Sequence, residues 1–441
     1  MDDRAALEAE VVRLRARVAE LESELAALKA AFAKFTAAPS APPAWAKARH
    51  RKSRPQKSGA REGHEPRNRE DRPVDEDKDA KLSTCPECET ELGEAIDVRE
   101  RIVEDIVPAR LKVTRFRVGR YWCSTCEEKI EARVDGVLPG QRFGLQFMLM
   151  ICFLRTLGVT WEKIRAYFHQ SFNIRVSHGA LVHMEQVVAE ALGAKYAELV
   201  EELRQAKSVH ADDTGWRVDG VNHWLWVLLS KGAAVFTVQQ SRKSKVVEDV
   251  LGEDYDGVVT TDFHPAFKKL PYKKQKCLIH LLRELSRFEK KPDFIEDAEW
   301  RSVRLRVKRL VTEAIDVHVN VTDVEERESA KIGFVARALT LATISTKNSY
   351  TRRVQKLVEE NADDLFTFLT EPDVHWENNP AERGLRPMVV NRKASFGSRS
   401  HEGAQRLSVI QSVAQTARLR GLPFHEFAAG GIPGHGIVPG R

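Results

Sequence analysis

Residues 208–229 read SVHADDTGWRVDGVNHWLWVLL and predict a β-hairpin. Asp219-Gly220 is typical of a two-residue turn in which both positions adopt positive φ, and the Val, Trp and Leu residues that follow favour a strand. Ala234 to Gln240 predicts a third strand, and Lys245 to Leu251 predicts a short amphipathic helix. Residues 257–262 then predict a buried strand that ends in an acid, Asp262.

Three antiparallel strands, a crossover helix and a fourth strand form the start of an RNase H-like sheet. A right-handed crossover lays the fourth strand parallel to the first, and this pairing would bring Asp212 and Asp262 together. We therefore predict a multidomain α/β chain. Residues 207–279 are assigned to the first part of its RNase H-like catalytic domain. Both acids have simpler interpretations, because Asp212 can cap a strand end and Asp262 can open the turn that leads to Pro265.

A third candidate acid lies in residues 376–383, which read WENNPAER. Residues 280–370 have a helical pattern, so we predict a helical insertion followed by the last part of the RNase H-like domain in residues 371–441. Asn379 before Pro380 predicts a helix start with Glu382 in the first turn. The alternative role of Glu382 is structural, because Asn379 at the N-cap and Glu382 three residues later form a capping box.

Three carboxylates suit the hydrolysis of a phosphodiester. Mg²⁺ or Mn²⁺ prefers oxygen ligands, and two such ions can activate an oxygen nucleophile and stabilise the leaving oxygen. Asp212, Asp262 and Glu382 are therefore the predicted catalytic and metal-binding residues. The cations predicted to bind DNA phosphates near Glu382 are Arg383, Arg386, Arg392, Lys393, Arg399 and Arg406. A second basic run, residues 301–309, either contacts phosphates or forms an ordinary solvated helix face.

The N-terminal region predicts association between two chains. Leucines at a seven-residue spacing, with apolar residues at the second seam position, predict a parallel homodimeric coiled coil in residues 5–35. The alternative is a helix that packs on its own chain. Residues 36–83 are basic and nearly free of apolar side chains, which predicts a disordered linker that either follows phosphates or acts as a solvated spacer.

Four cysteines occur as two CxxC pairs within residues 84–137. Cys85, Cys88, Cys123 and Cys126 can supply four thiolates to a structural Zn²⁺. The alternating residues Lys112 to Val118 predict a β insert between the pairs, and hence a zinc ribbon. The alternative, a redox CxxC, explains only one pair. We expect Cys152 and Cys277 to be single core thiols.

Residues 138–206 predict helices near 141–157, 161–170 and 178–206, with Ser177 as an N-cap. These helices form either a helix-turn-helix that binds DNA or a plain packing layer.

The composition is that of a globular protein, with 42% hydrophobic residues, 30% charged residues and a net charge of +6 over 441 residues. The mild positive charge favours nucleic acid as a partner. The longest apolar run contains Gln146 and Arg155, so we expect no membrane partner. The N-terminus does not read as a signal peptide, and the cysteine pattern favours a reducing cytoplasm.

Several segments together resemble the insertion-sequence-66 family of bacterial transposases. The coiled coil, basic linker and CxxC pairs follow the family's order. The matching residues are Ala211 to Val218, Trp224 to Val227, Asp262, Cys277 to Arg283, Asn378 to Pro387, Arg392, Lys393 and Ser398. Two residues depart from the usual pattern, namely Asp213, where glutamate is usual, and Gly384, where alanine is common.

The resemblance implies a DDE transposase in which Asp212, Asp262 and Glu382 bind the metal. The family cuts transposon-end DNA and joins it to target DNA, which implies a bacterial, nucleoid-associated protein and accessory transposition proteins. Two other functions are compatible with these residues: a catalytically silent, dimeric zinc-ribbon protein that binds DNA, and an RNase H-like nuclease that cuts without joining. His280 belongs either to the site or to the core.

Overall fold

The computed structural model describes residues 15, 73–78, 82–84, 86–91, 93, 111–289, 297–371 and 373–432. The predicted coiled coil in residues 5–35 lies outside these residues except for Arg15, and so does most of the predicted linker. The chain divides into two compact units, Met1–Glu104 and Asp105–Arg441. In the first unit, Thr84 pairs with Glu91 in an antiparallel bridge that closes a turn.

The second unit begins with a small hairpin formed by β1 (Arg120–Cys123) and β2 (Glu128–Glu131). The prediction of a strand at Lys112 to Val118 is wrong, because these residues have no regular structure. Their alternating apolar side chains are exposed, as at Val113 and Phe116.

A five-stranded sheet forms the centre of the second unit. Its strand order is β5-β4-β3-β6-β7. β3 is antiparallel to β4, β4 is antiparallel to β5, and β6 is parallel to both of its neighbours. The strands are β3 (Ser208–Val218), β4 (Val221–Leu229), β5 (Ala234–Gln239), β6 (Val258–Thr261) and β7 (Lys273–Lys276).

The predicted hairpin, third strand, crossover helix and parallel fourth strand are confirmed. Asp219 and Gly220 have φ values of 48° and 75°, as the two-residue turn requires. The crossover helix α5 (Lys245–Leu251) has the predicted bounds. The sequence pattern missed β7, whose residues KKQK look like a solvated turn, although Gln275 and Lys276 are buried.

Helices cover both faces of the sheet. Four of them precede it: α1 (Leu145–Thr156), α2 (Trp161–Phe172), α3 (His178–Ala191) and α4 (Gly193–Arg204). The predicted long third helix is therefore two helices that meet at Leu192, while the Ser177 cap is confirmed because its side chain accepts a hydrogen bond from Ala180 N. These helices share a core with Val209, Trp226 and Leu228 on one face of the sheet.

The segment between β7 and the last helices is helical, as predicted, and has its own apolar core. Its helices are α6 (Leu278–Glu289), α7 (Ala298–Asn320), α8 (Val324–Ala342) and α9 (Ser349–Glu360). The chain then continues through α10 (Asn379–Ser395), α11 (His401–Leu419) and α12 (Phe424–Gly430). Leu385 and Met388 of α10 pack against the second face of the sheet.

The edge strand β5 is covered by side chains from two helices. Ser412 Oγ accepts a hydrogen bond from Phe236 N at 2.8 Å, and Thr416 Oγ1 accepts one from Ala234 N at 3.0 Å. Tyr196 donates to Phe236 O at 3.0 Å. An uncovered edge strand is a template for pairing with another chain, so these bonds protect the sheet on this side.

Candidate active site

The register of β3 and β6 aligns the first two candidate acids. His210 pairs with Thr260 in the parallel ladder, and Asp212 and Asp262 each follow two residues beyond that pair. Asp212 lies within β3, where the strand continues past the end of β6, and Asp262 directly follows β6. Because parallel strands share a direction, the two acids lie at the same end of this strand pair.

The surroundings of Asp212 disfavour its charged form. Burial raises the pKa of Asp212 to about 7, and the negative charges of Asp262, Asp213 and Glu382 act in the same direction. One hydrogen bond acts against this, because Asp213 N donates to Asp212 Oδ1 at 2.8 Å. Asp262 and Glu382 are therefore close enough to Asp212 for their charges to act on its carboxyl group.

Asp262 also has the turn-forming role that its position allows. Its Oδ1 accepts a hydrogen bond from His264 N at 2.8 Å. Its main-chain oxygen accepts a bond of 3.1 Å from Nζ of Lys276, which also donates to Thr261 Oγ1 at 2.9 Å. Burial lowers the pKa of this lysine to about 8. Lys276, which the sequence pattern did not identify, thus holds the Asp262 backbone in place.

Glu382 is held by the helix that follows β7. Its Oε1 accepts a hydrogen bond from Arg283 NH1 at 2.9 Å and lies 3.6 Å from His280 Nε2. His280 and Arg283 are one turn apart on α6, so this helix presents both side chains to the same carboxylate oxygen. His280 therefore contacts a candidate catalytic residue.

The predicted capping box at Glu382 is wrong. The N-cap of α10 is Asn378, and its side chain makes no capping bond. Asn379, which was expected to cap the helix, donates instead to Glu377 Oε2. The Glu382 carboxylate contacts Arg283 of α6, so it does not form the predicted cap at the helix start.

Asn378 joins the segments that carry the candidate acids. Its Nδ2 donates to Ala211 O at 2.9 Å, and its main-chain N donates to Cys277 Sγ at 3.1 Å. Its Oδ1 lies 3.1 Å from His210 Nδ1, and with Nδ2 engaged elsewhere this oxygen is the acceptor. Burial lowers the pKa of His210 to about 4, so the imidazole is neutral.

Each of the three carboxylates has one oxygen that is available to bind a metal ion. Each uses Oδ1 or Oε1 for the protein contacts given above, and the second oxygen has no hydrogen-bond partner among the described residues. Within those same ranges, no three His, Cys, Asp or Glu side chains form a ready-made metal cage. Mg²⁺ commonly binds one or two carboxylates together with water and substrate phosphates, which fits this set.

Asp213 is separately neutralised. Arg242 Nε donates to its Oδ2 at 2.8 Å, and the guanidinium carbon lies 4.1 Å from the centroid of the Trp224 ring. Arg242 was not identified from the sequence pattern, and Trp224 was noted only as part of the family resemblance. The Asp213 carboxylate is therefore paired with Arg242, and Asp213 is not one of the candidate metal ligands.

The predicted phosphate-binding cations fall into two groups. Four are exposed and have no ion-pair partner in the described parts of the chain: Arg383, Arg386, Lys393 and Arg399. Arg392 instead donates to Thr214 Oγ1 at 3.0 Å and to Gly215 O, so it holds β3. The prediction that Arg406 binds phosphate is wrong, because its side chain is mostly buried and lies 3.5 Å from the Glu185 carboxylate.

The two CxxC turns share one backbone feature. Glu89 follows Cys88 with φ of 57°, and Glu127 follows Cys126 with φ of 52°. The backbone N–H groups of Cys126 and Thr125 lower the pKa of Cys123, which favours the thiolate that zinc requires. Cys85 lies outside the described residues. As predicted, Cys152 and Cys277 are buried thiols.

Among the residues that the structure describes, the helices lack a continuous apolar stretch that could span a bilayer.

Comparisons with known proteins identify the family of this chain. Residues 156–406 match the model of the family described as "Transposase IS66 family". Residues 83–127 match the model described as "zinc-finger binding domain of transposase IS66". The chain is also similar to the uncharacterized protein y4jD of Sinorhizobium fredii, with 23% identity over 357 residues that cover 72% of this chain and 68% of that protein. The first match spans more than half of the chain, which therefore belongs to the IS66 family of transposases.

Proposed function

We propose that this transposase cuts transposon-end DNA and joins the released 3′-hydroxyl to target DNA on an RNase H-like domain. Asp212, Asp262 and Glu382 would be the metal ligands. The observation that carries the proposal is the β3–β6 register, in which two acids stand at equivalent positions beyond the His210–Thr260 pair. Glu382 adds its charge to the same region.

The free carboxylate oxygens suit Mg²⁺ or Mn²⁺. When bound, such ions activate the attacking oxygen and stabilise the leaving oxygen of a phosphodiester. The protein's own contribution is to fix the donors. Asn378 holds the strand that carries Asp212, Lys276 holds the main chain at Asp262, and Arg283 holds Glu382 by one oxygen.

The exposed cations Arg383, Arg386, Lys393 and Arg399 would bind DNA phosphates near the cut. Three of them lie on α10, the helix that carries Glu382, so one rigid element would position both the backbone and a metal ligand. Charge on the phosphates is the general source of affinity between proteins and DNA.

The remaining parts of the chain would assemble the complex. We propose a structural Zn²⁺ held by Cys85, Cys88, Cys123 and Cys126, and a coiled coil in residues 5–35 that pairs two chains so that two transposon ends are held together. Helices α1 to α4 would contribute to binding of the end sequence. Accessory transposition proteins are further proposed partners, and the bacterial chromosome in the cytoplasm would be the target.

A strand-transfer assay tests this function. Labelled duplex carrying the terminal repeat of the chain's own element is incubated with the protein, a target plasmid and Mg²⁺. Joined product supports the proposed transposase. Cleavage without joining would instead indicate an RNase H-like nuclease, and a mobility shift without cleavage would indicate a DNA-binding protein that has lost its activity.

A further inference from the structure

An exposed aromatic residue stands at the end of the helix that carries Glu382. Phe396 is 73% exposed. It is the C-cap of α10 and has φ of 61°. Positive φ is unusual for a bulky residue, and glycine or asparagine commonly takes this position at a helix end. Phe396 thus exposes a large apolar ring to solvent and has an energetically unfavourable backbone conformation.

The conformation of Phe396 is held by its neighbours. A Cβ at Gly397 would lie 2.2 Å from Arg217 O, so only glycine fits there. Ser398 N donates to Arg217 O at 2.8 Å, and Asp219 N donates to Ser398 O at 3.0 Å. Trp216 Nε1 donates to Ser398 Oγ at 3.1 Å. These contacts fasten the segment to the β3–β4 hairpin and fix the position of the ring.

The surface of α10 that leads to Phe396 is basic. Arg383, Arg386, Val390 and Lys393 follow helical spacing and are all exposed, and we call them the α10 stripe. The opposite side of α10 is packed on the sheet. The three cations of the α10 stripe have no ion-pair partner within the described residues, so they are available to an anionic partner.

The combination of free cations with an aromatic ring at one end is complementary to DNA. Cations bind phosphates irrespective of sequence, and aromatic side chains stack on unpaired bases or wedge between base steps. At 1.5 Å per residue, Phe396 lies roughly 20 Å along α10 from Glu382. This distance corresponds to about six base steps of 3.4 Å.

We propose that Phe396 stacks on an unstacked DNA base about six steps from the cut while the α10 stripe contacts the intervening phosphates. The inference rests on the proposed function, because it takes DNA cut at Glu382 as the ligand. It adds a binding residue whose ring contacts a base.

The test compares two probes in fluorescence anisotropy: a 30-base-pair duplex of mixed sequence, and the same duplex with a central three-thymine bulge. Phe396→Asn should weaken binding of the bulged probe at least fivefold and change binding of the intact duplex less. Its thermal midpoint should equal or exceed that of the parent, because asparagine tolerates positive φ. Phe396→Trp keeps an aromatic ring and should bind the bulged probe with an affinity close to that of the parent. Ile332→Asn, at a position that is 71% exposed on α8, is the control and should bind like the parent.

A photocrosslink locates the contact directly. With 5-iodouracil in place of the central bulge thymine, the crosslinked peptide should contain Phe396. Unchanged affinity of Phe396→Asn for the bulged probe would overturn the inference alone if Arg383→Ala and Lys393→Ala still weaken both probes. If these charge variants also bind like the parent, the proposed DNA surface on α10 fails with it. A change in self-association with no change in DNA binding would assign the ring to a second chain and also overturn the inference.

Discussion

The side-chain amide of Asn378 donates a hydrogen bond of 2.9 Å to the main-chain oxygen of Ala211, the residue before Asp212. This bond connects the start of α10, which carries Glu382, to the strand that carries the first candidate acid. The two segments are far apart in sequence. The same buried side chain and its main-chain N–H also contact His210 and Cys277, so Asn378 links three segments at the start of α10.

Substitution of Asn378 should damage both stability and activity. Asn378→Ala leaves the polar groups of Ala211 and His210 unpaired in the interior, so we expect it to lower the free energy of unfolding by about 2–3 kcal/mol. Urea denaturation measures this loss. Asn379→Ala is the control and should cost less than about 1 kcal/mol, because among the described residues the Asn379 side chain hydrogen-bonds only to the partly exposed Glu377. Equal effects of the two variants would deny Asn378 its linking role.

Removal of the Arg283 side chain should affect catalysis more than folding. The Arg283–Glu382 pair is half-exposed, so Arg283→Ala should change the free energy of unfolding by less than about 1 kcal/mol. Cleavage should fall by roughly 10- to 100-fold, as for other residues that orient metal ligands. Arg287→Ala on the same helix is the control, since Arg287 contacts Glu284 and not Glu382. The prediction fails if both variants cut DNA like the parent.

Asp212 should destabilise the metal-free protein at high pH. Its pKa in the fold is about 7, above its ordinary value of 3.8. Stability linked to this group is therefore fully present below the ordinary pKa and is lost as the pH rises through 7. In chelator, Asp212→Asn should be more stable than the parent at pH 8 by roughly 1 kcal/mol or more, with a smaller difference at pH 5. Urea titrations at both values measure this, and a larger gain at pH 5 would reverse the predicted sign.

Mg²⁺ should reduce the difference in stability between Asp212→Asn and the parent. If Asp212 is a ligand, Mg²⁺ stabilises the parent by binding the folded state and has little effect on Asp212→Asn. Metal affinity of the parent should also decrease as the pH falls below about 7, because the carboxyl must lose its proton to bind the ion.

The zinc proposal predicts a metal content that depends on the CxxC cysteines. Mass spectrometry of the purified chain should find about one zinc ion per chain. Cys126→Ser should remove it, whereas Cys152→Ser, at a buried position in α1, should retain it. Glu127→Gly should also retain zinc, because glycine adopts the positive φ of this position without strain. Full zinc content in Cys126→Ser would rule out the proposed ligand set.

The sequence predicted those parts of the fold that local patterns determine. The Asp219-Gly220 turn, the apolar strands and the crossover helix need only nearby residues, and they were sufficient to place Asp212 and Asp262 on neighbouring strands. β7 was missed because its lysines look solvated, and Lys276 becomes intelligible only when its bonds to Thr261 and Asp262 are seen.

The side-chain contacts of the site could not be predicted in the same way. Asn379 was predicted to cap the helix, but the N-cap is Asn378, whose partners are Ala211 of β3 and Cys277, the residue before α6. Arg406 looked like a phosphate-binding residue, but it is paired with Glu185 of α3. Such roles depend on which distant residue occupies the adjoining space, and spacing along the chain does not encode that.

Cleavage by Glu382→Gln tests the central claim most directly. Glutamine retains a carbonyl oxygen that can accept the bond from Arg283, but it lacks the negative charge that a metal ligand supplies. With labelled transposon-end duplex in Mg²⁺, we expect the variant to fold and bind DNA like the parent while cleavage falls by at least about 1,000-fold, or roughly 4 kcal/mol in the barrier. Cleavage at the parent's rate by a folded Glu382→Gln protein would contradict the assignment of Glu382 to the metal-binding triad.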